Sequence, residues 1–87
     1  MDKNESQEFI FGKEVDLHCF PPNVTTLVIR EFIKQAVESD YKEIVIIHGK
    51  GRSQKKKEIY RLLDDNDAVK SYGDGGSNWG RTIVYLH

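Results

Sequence analysis

Four branched aliphatic residues follow one another at positions 44–47, within a predicted strand over residues 43–48. Such an unbroken run predicts a strand that is buried on both faces, as in a sheet covered by helices. A second strand is predicted over residues 14–18, where Val15 and Leu17 alternate with Asp16 and His18. These two strands are the first candidates for the centre of the fold.

Between the two strands the apolar residues take a helical spacing. From Asn23 onwards they recur at steps of four and five positions as far as Val37, which predicts a helix with Asn23 as its N-cap and an end near residues 39–40. A strand, a helix and a strand joined by short links predict a right-handed βαβ unit with parallel strands.

The rest of the chain predicts one more helix and two more strands. The helix covers residues 53–64, with Ser53 as N-cap and with Ile59, Leu62 and Leu63 towards the core. Strands are predicted at residues 68–72 and 81–87, joined by a glycine-rich loop over residues 73–80. The predicted order is therefore βαβαββ, an α/β fold with about four strands.

The composition indicates the class of protein but not its function. Eighty-seven residues with 38% hydrophobic and 31% charged positions suit one globular domain. Residues 1–13 are expected to be a partly disordered N-terminal extension, followed by the domain at 14–87. Cys19 is the only cysteine, which excludes an internal disulfide. Without a signal peptide or an apolar run of about 20 residues, a cytoplasmic protein with no membrane association is expected.

The net charge of −1 conceals a strong local concentration of cations. Five cations lie within residues 50–57, just after the 44–47 run: Lys50, Arg52, Lys55, Lys56 and Lys57. Gly49 and Gly51 lie at the start of the same segment. Glycines let the backbone turn and leave N–H groups uncovered, and a helix N-terminus favours anions. The segment predicts a partner that carries phosphate.

Two histidines and a carboxylate add chemistry to this segment. His18 and His48 end the two predicted parallel strands, where ligands collect in α/β folds. One imidazole suits a general base and the other an acid, and Asp16 would orient an imidazole through a hydrogen bond. The same side chains would alternatively hold a divalent metal such as magnesium or manganese, although one carboxylate and two imidazoles are few ligands for it.

Simpler interpretations of the same residues stay open. The histidines would equally be buried groups bonded to the backbone, Asp16 a helix cap, and the lysines a solvated helix face. Trp79, an indole in the predicted glycine loop, would stack on a nucleobase or pack on the sheet.

Three segments together resemble one family, the small MutS-related (Smr) domain. Residues 15–18 (Val-Asp-Leu-His) are similar to its Leu-Asp-x-His motif, and residues 48–51 (His-Gly-Lys-Gly) match its His-Gly-x-Gly motif. Residues 80–86 are similar to its closing glycine–threonine strand. The order and spacing of the segments agree over residues 14–87. Cys19 departs from the pattern, since the family commonly has glycine there.

The resemblance implies a two-layer α/β sandwich with a mixed sheet, like the C-terminal domain of a bacterial translation initiation factor. It also implies binding of nucleic acid, DNA or RNA, and endonuclease activity in several members. By motif position it assigns the catalytic residues Asp16, His18 and His48, with Gly49 and Gly51 at the turn.

Three functional hypotheses follow. The first is a monomeric endonuclease that nicks DNA or cleaves RNA, with Lys50, Arg52 and the three lysines at 55–57 holding the nucleic-acid backbone. The second is a non-catalytic module that binds structured DNA or RNA and acts with the ribosome or a repair factor. The third is a protein-interaction domain that uses the polar helix faces.

Overall fold

The structure is a computed structural model that describes residues 10–49, 53–75 and 78–87, without the side chains of residues 53, 54, 78 and 79. Its strands are β1 (Glu14–Asp16), β2 (Glu43–Ile47), β3 (Val69–Gly75) and β4 (Asn78–Leu86). Its helices are α1 (Thr25–Glu38) and α2 (Ser53–Asp64). Two single-turn 3-10 helices, Leu17–Cys19 and Pro22–Val24, connect β1 to α1. This order confirms the predicted βαβαββ arrangement.

The four strands form one mixed sheet in the order β1-β2-β4-β3. Strands β1 and β2 are parallel, as the predicted βαβ unit requires, whereas β4 is antiparallel to both of its neighbours. The last strand of the sequence therefore lies inside the sheet, between β2 and β3.

Both helices contribute to one hydrophobic core on one side of the sheet. Phe32 of α1 and Ile59 of α2 are fully buried in the same cluster as Ile44 and Ile46 of β2. The predicted burial of β2 on both faces is wrong, because Val45 and Ile47 on the opposite face are only half-buried. With both helices on one face the fold has two layers. None of the helices in the described part of the chain has the length and hydrophobicity to cross a membrane.

The ends of two predicted elements are shifted by local hydrogen bonds and pairing. Strand β1 stops at Asp16 instead of continuing to His18, because the Asp16 carboxylate accepts the backbone N–H of His18 and closes a turn. The predicted loop at residues 73–80 is largely strand, since Gly73 pairs with Ile83 in the β3–β4 ladder. Sheet pairing thus overrides the turn tendency of the glycines.

Candidate active site

A pocket of about 150 Å³ lies where β1 and β2 end side by side. Its walls are formed by Leu17, His18, Phe20, Pro22, His48 and Lys55. The structure therefore brings together two of the predicted histidines and one of the predicted lysines. They meet because β1 and β2 are parallel and α2 begins shortly after β2.

Asp16 and His18 form a hydrogen-bonded pair at the edge of this pocket. Asp16 Oδ1 lies 3.0 Å from His18 Nδ1 and also accepts the His18 backbone N–H at 2.9 Å. That backbone hydrogen bond is the main reason that the pKa of Asp16 is lowered, so the carboxylate is ionised near neutral pH. Asp16 thus caps the 3-10 turn and orients the imidazole at once, and the His18 side chain stays 59% exposed.

The His18 ring lies directly against the backbone of Gly49. Gly49 has φ +87°, and a Cβ atom placed on it would lie 2.7 Å from His18 Nε2. Only a glycine permits both this φ and this close approach. The departure from the family motif does not prevent the contact, because the Cys19 side chain beside His18 is exposed.

His48 is held more tightly than His18. It is 3% exposed, its Nε2 lies 2.9 Å from the hydroxyl of buried Thr82, and its Nδ1 lies 3.3 Å from the Gly49 carbonyl. Burial is the main cause of its lowered pKa, which favours the neutral imidazole. The backbone N–H groups of His48 and Gly49 both donate to the carbonyl of Gly80. The turn after β2 is therefore fixed to β4.

We expect the free energy of unfolding to decrease as the pH is lowered from about 7 to about 5. In this range the lowered pKa of His48 means that the unfolded chain binds more protons than the folded chain. Asp16 and Asp74, whose pKa values are also lowered, lose their contributions only below about pH 4. Urea denaturation of the wild type and of His48→Gln at both pH values measures the effect. His48→Gln should lose most of the difference in free energy of unfolding between the two pH values, and His87→Gln, at an exposed histidine, should keep it. An equal difference in all three proteins would contradict the expectation.

The three lysines of α2 differ in their surroundings. Lys55 Nζ donates to the Thr25 hydroxyl at 3.0 Å and lies in the pocket wall. Lys56 Nζ forms an ion pair with Asp74 at 2.7 Å, which is the main reason that the pKa of Lys56 is raised. Lys57 is exposed. The charge of Lys56 is thus partly compensated by Asp74, and Lys55 is the one of the three that lines the pocket with His18 and His48.

Four predicted site residues lie wholly or partly outside the described part of the structure. Lys50, Gly51 and Arg52 lie outside the described residues, and the Trp79 side chain does as well, although its backbone belongs to β4.

Within the described ranges, no group of three His, Cys, Asp or Glu side chains is arranged to hold a metal ion. The described donors therefore do not fit a magnesium or manganese site.

Sequence reasoning missed Thr82, Thr25 and the apolar wall of the pocket as parts of the site. Thr82 had a visible signal, because it takes the buried position in an alternation that continues with Val84 and Leu86. A threonine at such a position needs a hydrogen-bond partner. The identity of that partner, His48, is not visible in the local pattern.

Comparisons with known proteins agree with this architecture. The Smr domain family matches residues 15–87 of the chain. Endonuclease MutS2 of Staphylococcus saprophyticus is 32% identical over an alignment of 89 positions, gaps included, which covers 99% of this chain and 11% of that protein. Endonuclease MutS2 of Aquifex aeolicus is 33% identical over an alignment of 84 positions, gaps included, which covers 88% of this chain and 11% of that protein. The chain thus spans about a tenth of the length of these relatives.

Two solved structures have the same fold. The Smr domain of Thermus thermophilus MutS2 superposes with a TM-score of 0.80 at 25% identity, over 87% of this chain and 99% of that one. YdaL, a stand-alone small MutS-related protein from Escherichia coli, gives a TM-score of 0.77 at 26% identity, over 86% of this chain and 64% of that one.

Proposed function

This chain belongs to the Smr domain family, and on that basis we propose that it binds nucleic acid and cleaves its phosphodiester backbone. The observation that carries the proposal is the Asp16–His18 pair, which lies against Gly49 in a pocket that Lys55 also lines. The name of the MutS2 relatives, endonuclease, supports the same reaction class.

His18 is the group that transfers the proton. Because the Asp16 carboxylate accepts a hydrogen bond from His18 Nδ1–H, the lone pair of Nε2 is left to take a proton. In the reaction, Nε2 removes the proton from the attacking oxygen of water or of a ribose hydroxyl. That oxygen bonds to phosphorus, the bond to the leaving oxygen breaks, and the leaving oxygen takes a proton from solvent water. His18 then releases the proton it removed to solvent.

Lys55 supplies the positive charge that the phosphate requires. Its hydrogen bond to Thr25 holds the ammonium group at the pocket wall, so the charge is in place before the nucleic acid binds. A cation fixed in this way stabilises the negative charge on the phosphoryl oxygens in the transition state.

His48 is better suited to positioning than to proton transfer. Both of its ring nitrogens are engaged, and its lowered pKa makes it a weak proton donor near neutral pH. We assign to it the support of the Gly49 turn, against which the His18 ring lies.

A second candidate is a binding module without catalysis, which the engagement of both His48 nitrogens favours. In either case DNA and RNA are both candidate substrates, the cytoplasm is the expected setting, and a ribosome or a repair factor would supply the targeting. Binding that weakens with salt, with no cleavage of any substrate, would select the second candidate.

The proposal is tested with fluorescently labelled DNA and RNA, by measuring affinity against salt concentration and cleavage in parallel. Lys55→Met should reduce the slope of log affinity against log salt by about one, because one phosphate contact is lost, and should slow cleavage. The matched control is Lys70→Met, which removes the same charge from β3 at the opposite end of the sheet. Absence of both binding and cleavage in the wild type would overturn the proposal.

A further inference from the structure

The residues that line the pocket are of two chemical kinds. His18, His48 and Lys55 are polar, and Leu17, Phe20 and Pro22 are apolar. A bound phosphate would use the polar residues, because an anion gains little from an aromatic or aliphatic wall. The apolar residues suit a second, uncharged group next to the phosphate.

The size of the pocket limits what that group is. A volume of about 150 Å³ is comparable to a cavity that holds one benzene-sized ring. It is well below the roughly 300 Å³ at which pockets begin to enclose whole ligands of drug size. One flat ring thus fits inside, with its attached sugar and phosphate at the open rim.

The Phe20 ring is held in place by other aromatic rings. It packs on Phe11 with ring centroids 6.2 Å apart, and Phe11 meets fully buried Phe32 edge-on at 5.4 Å. The ring is therefore anchored to the hydrophobic core through two further rings. Pro22 restricts the backbone on the same side of the pocket. A fixed aromatic ring in a pocket wall is the arrangement on which nucleobases stack.

We propose that this pocket receives one unpaired nucleobase, which stacks on Phe20 while the adjoining phosphate lies between His18 and Lys55. A base within an intact duplex has both faces covered by its neighbours and cannot enter. The preferred substrate is therefore a single-stranded or extruded nucleotide. This inference rests on the proposed function, since it places the phosphate at the same polar groups.

The test measures affinity by fluorescence anisotropy for an oligothymidylate, an oligouridylate of the same length and a blunt DNA duplex. The wild type should bind the single strands more tightly than the duplex, and the two single strands separate DNA from RNA as the source of the base. Phe20→Leu keeps an apolar side chain but removes the stacking surface, so it should reduce the single-strand-to-duplex affinity ratio about tenfold. Phe20→Tyr keeps an aromatic ring and should have the wild-type single-strand-to-duplex affinity ratio. Cys19→Ser, at the exposed neighbour, should also have the wild-type ratio.

Two results would overturn the base-binding pocket. They are an unchanged affinity ratio in Phe20→Leu whose circular dichroism matches the wild type, and tighter wild-type binding to the duplex than to either single strand. In both cases nucleic acid is still bound and the proposed function stands. If the wild type bound and cleaved none of the three probes, the proposed function would fail together with the pocket.

Discussion

Replacing His18 by alanine is expected to slow phosphodiester cleavage by about 10²–10⁴-fold, the usual contribution of a positioned general base. The effect on affinity should be much smaller, because Lys55 and the rest of the pocket stay in place. The Asp16 carboxylate would then have no imidazole to orient. Single-turnover cleavage of a fluorogenic nucleic acid, with affinity measured in the same buffer, gives both quantities.

The matched control for His18 is another exposed histidine. His87→Ala removes an imidazole at the end of the chain, away from the pocket, and should cleave at the wild-type rate. Asp16→Asn should fall between the two, because the amide keeps the shape of the side chain but loses the charge that orients the ring. Equal cleavage by the wild type and His18→Ala would remove His18 from the mechanism.

Replacing Gly49 by alanine is expected to reduce cleavage about 100-fold, as small displacements of catalytic groups do. The new Cβ would lie 2.7 Å from His18 Nε2, so the imidazole would have to rotate away and break its hydrogen bond to Asp16. The φ of +87° adds a backbone cost of about 1–2 kcal/mol for a residue with a Cβ. Cleavage assays and urea denaturation measure the two effects separately.

Gly73→Ala is the control for the change from glycine to alanine. A Cβ on Gly73 would meet no atom of the described residues within 4 Å, so neither cleavage nor the free energy of unfolding should change much. Wild-type cleavage by Gly49→Ala would show that the contact between His18 and the Gly49 backbone is not needed for the reaction.

Local patterns predicted the order of the elements but not the way in which the layers are stacked. The apolar spacing of residues 24–37 and the run at 44–47 identify α1 and β2 because each depends on neighbours within a few residues. Whether helices cover one or both faces of the sheet depends on contacts between distant segments. Val45 and Ile47 are apolar yet half-exposed, and for that reason the run overstated the burial of β2.

The sequence predicted only part of the site, again because some of its contacts join segments that are far apart in the sequence. The meeting of His18 and His48 follows from two parallel strands, which a βαβ unit implies. The bond between His48 and Thr82 joins residues 34 positions apart, and the spacing of neither residue reveals it. The turn that carries His18 forms because the His18 backbone N–H bonds to the Asp16 side chain instead of continuing the strand ladder. The alternation of apolar residues does not indicate which of these two hydrogen bonds forms.

The position of β4 inside the sheet has a consequence for the timing of assembly. The carbonyl of Gly80 and the hydroxyl of Thr82 hold the turn after β2, although both belong to the last strand of the sequence. Contacts between segments so far apart in sequence form late in folding, because a long loop must first close. We therefore expect the pocket to be absent from a folding chain until β4 has paired with β2.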